Sequence, residues 1–79
     1  MTTADVLPRL LSLAATRFGK SVDALSAGDD FFESLGIDSV EAMSMITALE
    51  ERFGIEIPDY EVQDVRTFED LAAVIARRV

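Results

Sequence analysis

Gly36-Ile37-Asp38-Ser39-Val40-Glu41-Ala42-Met43-Ser44-Met45-Ile46-Thr47-Ala48-Leu49-Glu50-Glu51-Arg52-Phe53-Gly54 reads as a loop end, a helix and a stop signal. Val40, Met43, Ile46, Leu49 and Phe53 recur at helical intervals and give the segment an apolar stripe. Ser39 suits the N-cap, and Gly54 is placed to end the helix after Phe53. Counted from Ser39, position N3 is Ala42, so no capping box is expected. About 14 residues at 1.5 Å each make a rod ~21 Å long.

Working outward, Val6, Leu7, Leu10, Leu11, Ala14 and Phe18 predict an amphipathic helix over about residues 5 to 18. Asp5 falls in its first turn, Pro8 is tolerable only near its start, and Gly19 follows its end. Between about residues 20 and 38, Ser21, Ser26, Gly28, Asp29, Asp30 and Gly36 break the periodicity. Val22, Leu25, Phe31, Phe32 and Leu35 are nevertheless apolar, which predicts an ordered loop folded back on the core, with a helical turn near Phe31 to Leu35. So long a connection in so short a chain is a place to look for function.

After Gly54, Ile55-Glu56-Ile57-Pro58 alternates like a strand, but nothing else in the chain offers a partner. It reads as an extended linker with Ile55 and Ile57 turned inward. Asp59 then caps a short helix carrying Tyr60 and Val62. Thr67 caps the last helix, with Asp70 at N3, Leu71, Val74, Ile75 and Val79 facing inward, and Arg77 and Arg78 at its C-terminal dipole. The fold class is all-α: a bundle of three main helices plus one short helix, with a long first loop.

Seventy-nine residues imply one domain spanning 1–79, and such a chain buries only about 60 to 65% of its unfolded surface. The absence of cysteine excludes disulfides and thiolate metal sites, and fits a reducing cytosol. No apolar run approaches the ~20 residues of a membrane span, and Met1-Thr2-Thr3-Ala4-Asp5 lacks a basic signal-peptide start. The expected location is the cytoplasm. Fifteen acids against seven bases give −8. From Asp29 to Glu61 there are ten acids and only Arg52 as a base, a local −9 that leaves +1 for the remainder. That field opposes nucleic-acid binding and favours basic protein surfaces. Simple solubility is the plainer reading of the same charge.

Catalytic chemistry is hard to build from this chain. It has no histidine, and exposed carboxylates such as Asp38 and Glu41 are weak bases at neutral pH. The acidic run from Asp59 to Asp64 lacks the glycine and terminal glutamate of a calcium loop. No phosphate-cradling glycine motif occurs. Ser39 is therefore either a helix cap and nothing more, or a hydroxyl to which something is attached. A phosphate ester at a helix N-terminus would be electrostatically comfortable.

Phe31-Phe32-Glu33-Ser34-Leu35-Gly36-Ile37-Asp38-Ser39-Val40 resembles the attachment motif of acyl carrier proteins and peptidyl (aminoacyl) carrier domains. The resemblance continues through Leu49-Glu50-Glu51-Arg52-Phe53-Gly54-Ile55-Glu56-Ile57-Pro58 and Thr67-Phe68-Glu69-Asp70-Leu71, and so spans nearly the whole chain. It implies an acyl-carrier-protein-like fold and a carrier that is not itself an enzyme. It implies too that Ser39 receives 4′-phosphopantetheine from coenzyme A, with cargo held as a thioester on the terminal thiol. Asp38 would assist the modifying phosphopantetheinyl transferase by positioning its magnesium and coenzyme A. Glu41 would dock basic patches on loading ligases, synthetases and downstream transferases, with Val40, Met43 and Thr47 as further contacts.

Two departures colour that resemblance. Val40 stands where the family usually has leucine or methionine, and Ala42 to Ala48 carries no acid. Both point away from fatty-acid synthesis towards aminoacyl, nonribosomal-peptide or polyketide chemistry. The chain, from Met1 to just past its last helix, reads as free-standing, and carriers usually work as monomers. The competing reading is an acidic helical adaptor for a basic partner, with Ser39 unmodified.

Overall fold

A computed structural model describes residues 1–79, and every regular element is helical. The order is α1 (Thr3–Phe18), a 3-10 turn (Val22–Ala24), α2 (Phe31–Leu35), α3 (Ser39–Phe53), α4 (Asp59–Val62) and α5 (Phe68–Ala76). The three main helices are α1, α3 and α5. Both expected short segments are formed, so there are two short helices rather than one. No helix is long and apolar enough to cross a membrane.

Helix α1 opens two residues before its expected start because Thr2 and Asp5 form a capping box. Thr2 Oγ1 accepts from the Asp5 N–H at 3.2 Å, and Asp5 Oδ2 accepts from the Thr2 N–H at 3.0 Å. These bonds satisfy donors that a helix start otherwise leaves unpaired. Pro8 consequently lies in the second turn. The N–H it lacks would have met the Ala4 carbonyl, on an exposed turn open to water.

One core joins the main helices. Val6, Leu10 and Ala14 of α1 meet Met45, Ile46 and Leu49 of α3 and Phe68, Leu71, Val74 and Ile75 of α5. Helix α1 packs most extensively on α5. Two expected core residues lie outside: Val22 is 45% exposed and Val79 is 42% exposed. Val22 sits on the 3-10 turn, which faces solvent, and Val79 lies beyond the end of α5. Phe68 and Ala72 are buried in addition to the residues expected of α5.

The long first loop is held against the start of α5. The Phe31 N–H donates to the Arg66 carbonyl at 2.8 Å, the Phe68 N–H to Asp29 at 3.3 Å, and the Glu69 N–H to Ala27 at 2.8 Å. Asp30 and Thr67 form an isolated antiparallel bridge there. Asp30 also caps α2: its Oδ1 accepts from the N–H of Phe32 at 2.8 Å and of Glu33 at 3.3 Å. Its Oδ2 takes a 2.8 Å bond from Arg66 Nε, while the Arg66 guanidinium lies 4.9 Å from the Phe32 ring centroid. Leu25, Phe31 and Leu35 are thereby buried, as the apolar residues of this loop predicted.

Partial desolvation pushes the Asp30 carboxyl up, but the Arg66 hydrogen bond, the Glu33 and Phe32 amides and the Arg66 charge outweigh it. The carboxyl is left below its ordinary value of 3.8. A lowered folded-state pKa means that the contribution is present above the unfolded value and is lost as pH falls through the folded one. Asp30→Asn should therefore destabilise at neutral pH, and the gap to wild type should close well below pH 3.8. Urea unfolding across that range checks this; a gap independent of pH would remove the carboxylate from the argument.

On the other side of α3, Glu50 Oε2 accepts from the Ile57 N–H at 2.8 Å and pins the extended linker. Ile57 is buried and Ile55 half-buried, the inward pair expected. The N-cap of α4 is Pro58, not Asp59, and it supplies no side-chain bond. Thr67 caps α5 as expected, accepting from the Asp70 N–H at 3.1 Å, without a reciprocal bond from Asp70. Arg78 is drawn into an ion pair with Glu61 of α4.

Candidate functional site

Gly36 ends α2 with φ +65°, a left-handed conformation that glycine adopts without the penalty of a Cβ. The turn lets Ile37 drop into the core at 9% exposure, while Asp38, Ser39 and Val40 emerge at the surface. A buried isoleucine thus anchors one side of an exposed acid–serine pair.

The first turn of α3 differs from expectation by one residue. Asp38, not Ser39, is the N-cap, and Ser39 is the first helical residue. Asp38 Oδ1 accepts from the Glu41 N–H at 2.8 Å, and Glu41 Oε1 accepts from the Asp38 N–H at 3.3 Å. A capping box is therefore present, closed by Glu41 at N3. The physical reason is reach: a carboxylate one position before the serine bonds the N3 amide and frees the hydroxyl from that duty. The Asp-x-x-Glu spacing was legible in the sequence; centring the cap on Ser39 hid it.

Two consequences follow for Ser39. Its hydroxyl is exposed and is not used by the helix start, whose side-chain bonds belong to Asp38 and Glu41. The amides of Ser39 and Val40 have no intrahelical acceptor, since they precede the first i to i−4 bond. A phosphate ester on this hydroxyl would sit beside those amides and the positive end of a 15-residue helix. The residues present fit such a group. No cluster of three or more acids, histidines or cysteines could hold a metal ion.

The outward stripe of α3 carries the other residues singled out. Val40 is 77% exposed and Met43 is 42% exposed, with Thr47 also at the surface. The spacing of 40, 43 and 47 places them along one face, and the Thr47 hydroxyl donates to the Met43 carbonyl at 3.0 Å. Met45, two positions on from Met43, is fully buried, so one methionine packs the core and its neighbour faces solvent. Glu41 shares the exposed surface but is tied into the capping box. Ser44, which the sequence reading did not single out, lies off this stripe on the flank of α3 towards α1 and accepts from Arg17 Nη2.

A family model described as phosphopantetheine attachment site matches residues 8–75. The acyl carrier protein of Thermosynechococcus vestitus is 30% identical over 79 residues, covering 100% of this chain and 98% of that protein. The acyl carrier protein of an Arthrobacter species is 33% identical over 72 residues, covering 91% of this chain and 89% of its own. The chain belongs to the acyl carrier protein family.

The solution structure of a protein from Anaplasma phagocytophilum superposes with a TM-score of 0.83. It covers 98% of this chain and 91% of that one at 24% identity, a likeness of fold. Acyl carrier proteins are carriers, not catalysts, and the family's group is a covalently attached 4′-phosphopantetheine. The histidine-free chain and its exposed, unactivated serine are in keeping with that division of labour.

Proposed function

We propose that the chain is a single carrier domain, modified at Ser39, that holds acyl or aminoacyl groups and delivers them to other enzymes. The observation that carries this reading is the first turn of α3, where Asp38 and Glu41 do the capping and Ser39 is left exposed. When attached, 4′-phosphopantetheine supplies the terminal thiol on which cargo is held as a thioester, which a chain without cysteine cannot supply itself. In the modification Ser39 would supply the accepting oxygen: Oγ would bond the β-phosphorus of coenzyme A as the bond to 3′,5′-adenosine bisphosphate breaks. The serine proton would pass to a base of the transferase, since this chain has no histidine. Asp38 uses Oδ1 in the capping box, and its other carboxylate oxygen would assist the transferase's magnesium.

The cargo is more specialised than that of fatty-acid synthesis. The support is the outward stripe of α3, where Val40, Met43 and Thr47 present an apolar face without an acid between Glu41 and Glu50. Such a face suits a partner that docks by apolar contact, with adaptable methionine at its centre. Aminoacyl, nonribosomal-peptide and polyketide enzymes are the proposed class, with a loading ligase or synthetase, downstream transferases and the phosphopantetheinyl transferase as partners. The working form is a monomer in the cytoplasm.

Intact mass after incubation with coenzyme A, magnesium and a broad-specificity phosphopantetheinyl transferase tests the core of the proposal. A gain of one phosphopantetheine supports it; no gain by a folded protein beside an active control overturns it. Val40 then probes docking cleanly, because at 77% exposure it contributes little to the core. Val40→Asp should slow modification or loading by about tenfold while stability stays within about 0.5 kcal/mol. Glu41 is a poorer probe, since changing it also opens the capping box.

A further inference from the structure

The α1–α3 flank carries a basic groove inside a strongly acidic protein. Arg9, Ser12, Thr16 and Arg17 of α1 and Ala48 and Arg52 of α3 line a groove of about 580 Å³. The protein's two ion pairs are Arg66–Asp30 and Arg78–Glu61, so none of these three arginines is neutralised by a carboxylate contact. All three are exposed. Asp5 feels the Arg9 charge, but its hydrogen bonds go to Thr2. Arg17 is held in place by its bond to Ser44.

We propose that this groove binds an acidic segment of a partner protein. The arginines are spread along it rather than gathered at a point. Arg9 lies about 12 Å from Arg17 along α1, and Arg52 about 12 Å from Ser44 along α3. A single phosphate cannot bridge that span, whereas two glutamates separated by three residues stand about 13 Å apart in an extended peptide. Guanidinium forks grip carboxylates in bidentate fashion, and Ser12 and Thr16 add hydroxyls between the charges. A nucleic-acid strand, anionic along its whole length, would extend past the groove over a chain whose net charge is −8. A short peptide ends first, and repulsion from the more distant acids is screened beyond about 8 Å at physiological salt.

The groove is also separate from Ser39, which does not line it. With about 100° between successive helical residues, Ser44, Ala48 and Arg52 lie on the flank of α3 towards α1, and Ser39 lies on the opposite flank. An enzyme docked on the outward stripe can reach Ser39 on one side and place acids in the groove on the other. The groove is formed in the unmodified chain.

The unmodified chain, labelled with ¹⁵N, is titrated with a peptide carrying two glutamates separated by three residues, then with the same composition having the glutamates adjacent, then with inorganic pyrophosphate. The spaced peptide should shift the amides of Ser12, Thr16 and Ala48. Its affinity should fall about tenfold or more in the Arg9→Gln/Arg17→Gln/Arg52→Gln variant, whose exposed changes leave helicity intact. The single variants Arg9→Gln and Arg52→Gln carry the test if the triple one does not fold. Equal affinity in a folded variant, shifts confined to other residues, or pyrophosphate matching the spaced peptide would overturn the proposal.

Discussion

Ser39→Ala should abolish the phosphopantetheine mass gain completely while leaving the protein as stable as wild type. The first half follows from chemistry: alanine offers no nucleophilic oxygen. The second half depends on the structure. Were Ser39 the N-cap, its loss would cost about 1 kcal/mol. The cap is Asp38, and Ser39 is the first helical residue, where alanine is an excellent helix former. The change in unfolding free energy should fall within about 0.5 kcal/mol of zero. Asp38→Ala gives the contrast, since it removes the Glu41 amide's acceptor and should destabilise by about 0.5 to 2 kcal/mol. Intact mass and urea unfolding, run on both variants, read the two effects separately. Mass gain persisting in Ser39→Ala would move attachment elsewhere. Destabilisation equal to that of Asp38→Ala would restore the serine as a cap.

That one-residue shift shows where sequence reading reaches its limit. The helix itself was legible, because its apolar period and Gly54 fix its extent within a residue or two. Which of two adjacent capping residues accepts the N3 amide is decided by backbone angles at Asp38, φ −95° and ψ −178°, and those are set by the turn leaving Gly36. Periodicity carries no information about them. The same holds at Thr2 and Pro58, where the cap lies outside the periodic run. Partition between core and surface was legible only by stripe: Val40 and Met43 share a helical period with Ile46 and Leu49, yet only the latter pair is buried. Buried Ala42 and Met45 show that the inward face is rotated from the one the largest apolar residues suggest. The arginine groove was the least legible feature. It joins residues far apart in sequence, and it is a surface only once α1 lies beside α3.

Phe68→Ala is expected to have the largest effect on stability. The ring is fully buried, 6.0 Å from the Phe31 ring in a tilted pair, at the point where α5 meets the long first loop. Truncating a buried phenylalanine costs about 3 to 5 kcal/mol through lost transfer free energy and the cavity left behind. A chain of this length has about 4 to 12 kcal/mol in all, so much of the variant should be unfolded at physiological temperature. Tyr60→Ala, at 74% exposure, should stay within about 0.5 kcal/mol and serves as the control. The Phe68 amide also bonds Asp29, so the loop that positions Asp38 and Ser39 loosens together with α5. Modification of Phe68→Ala should accordingly fall with the folded fraction and return when cooling or a stabilising osmolyte restores folding. Ser39→Ala should remain unmodified under the same conditions, because it lacks the oxygen and not the fold. A loss below about 1 kcal/mol in Phe68→Ala would mean that the core collapses to fill the space, and that the loop is held by its backbone hydrogen bonds and the Asp30–Arg66 pair rather than by this ring.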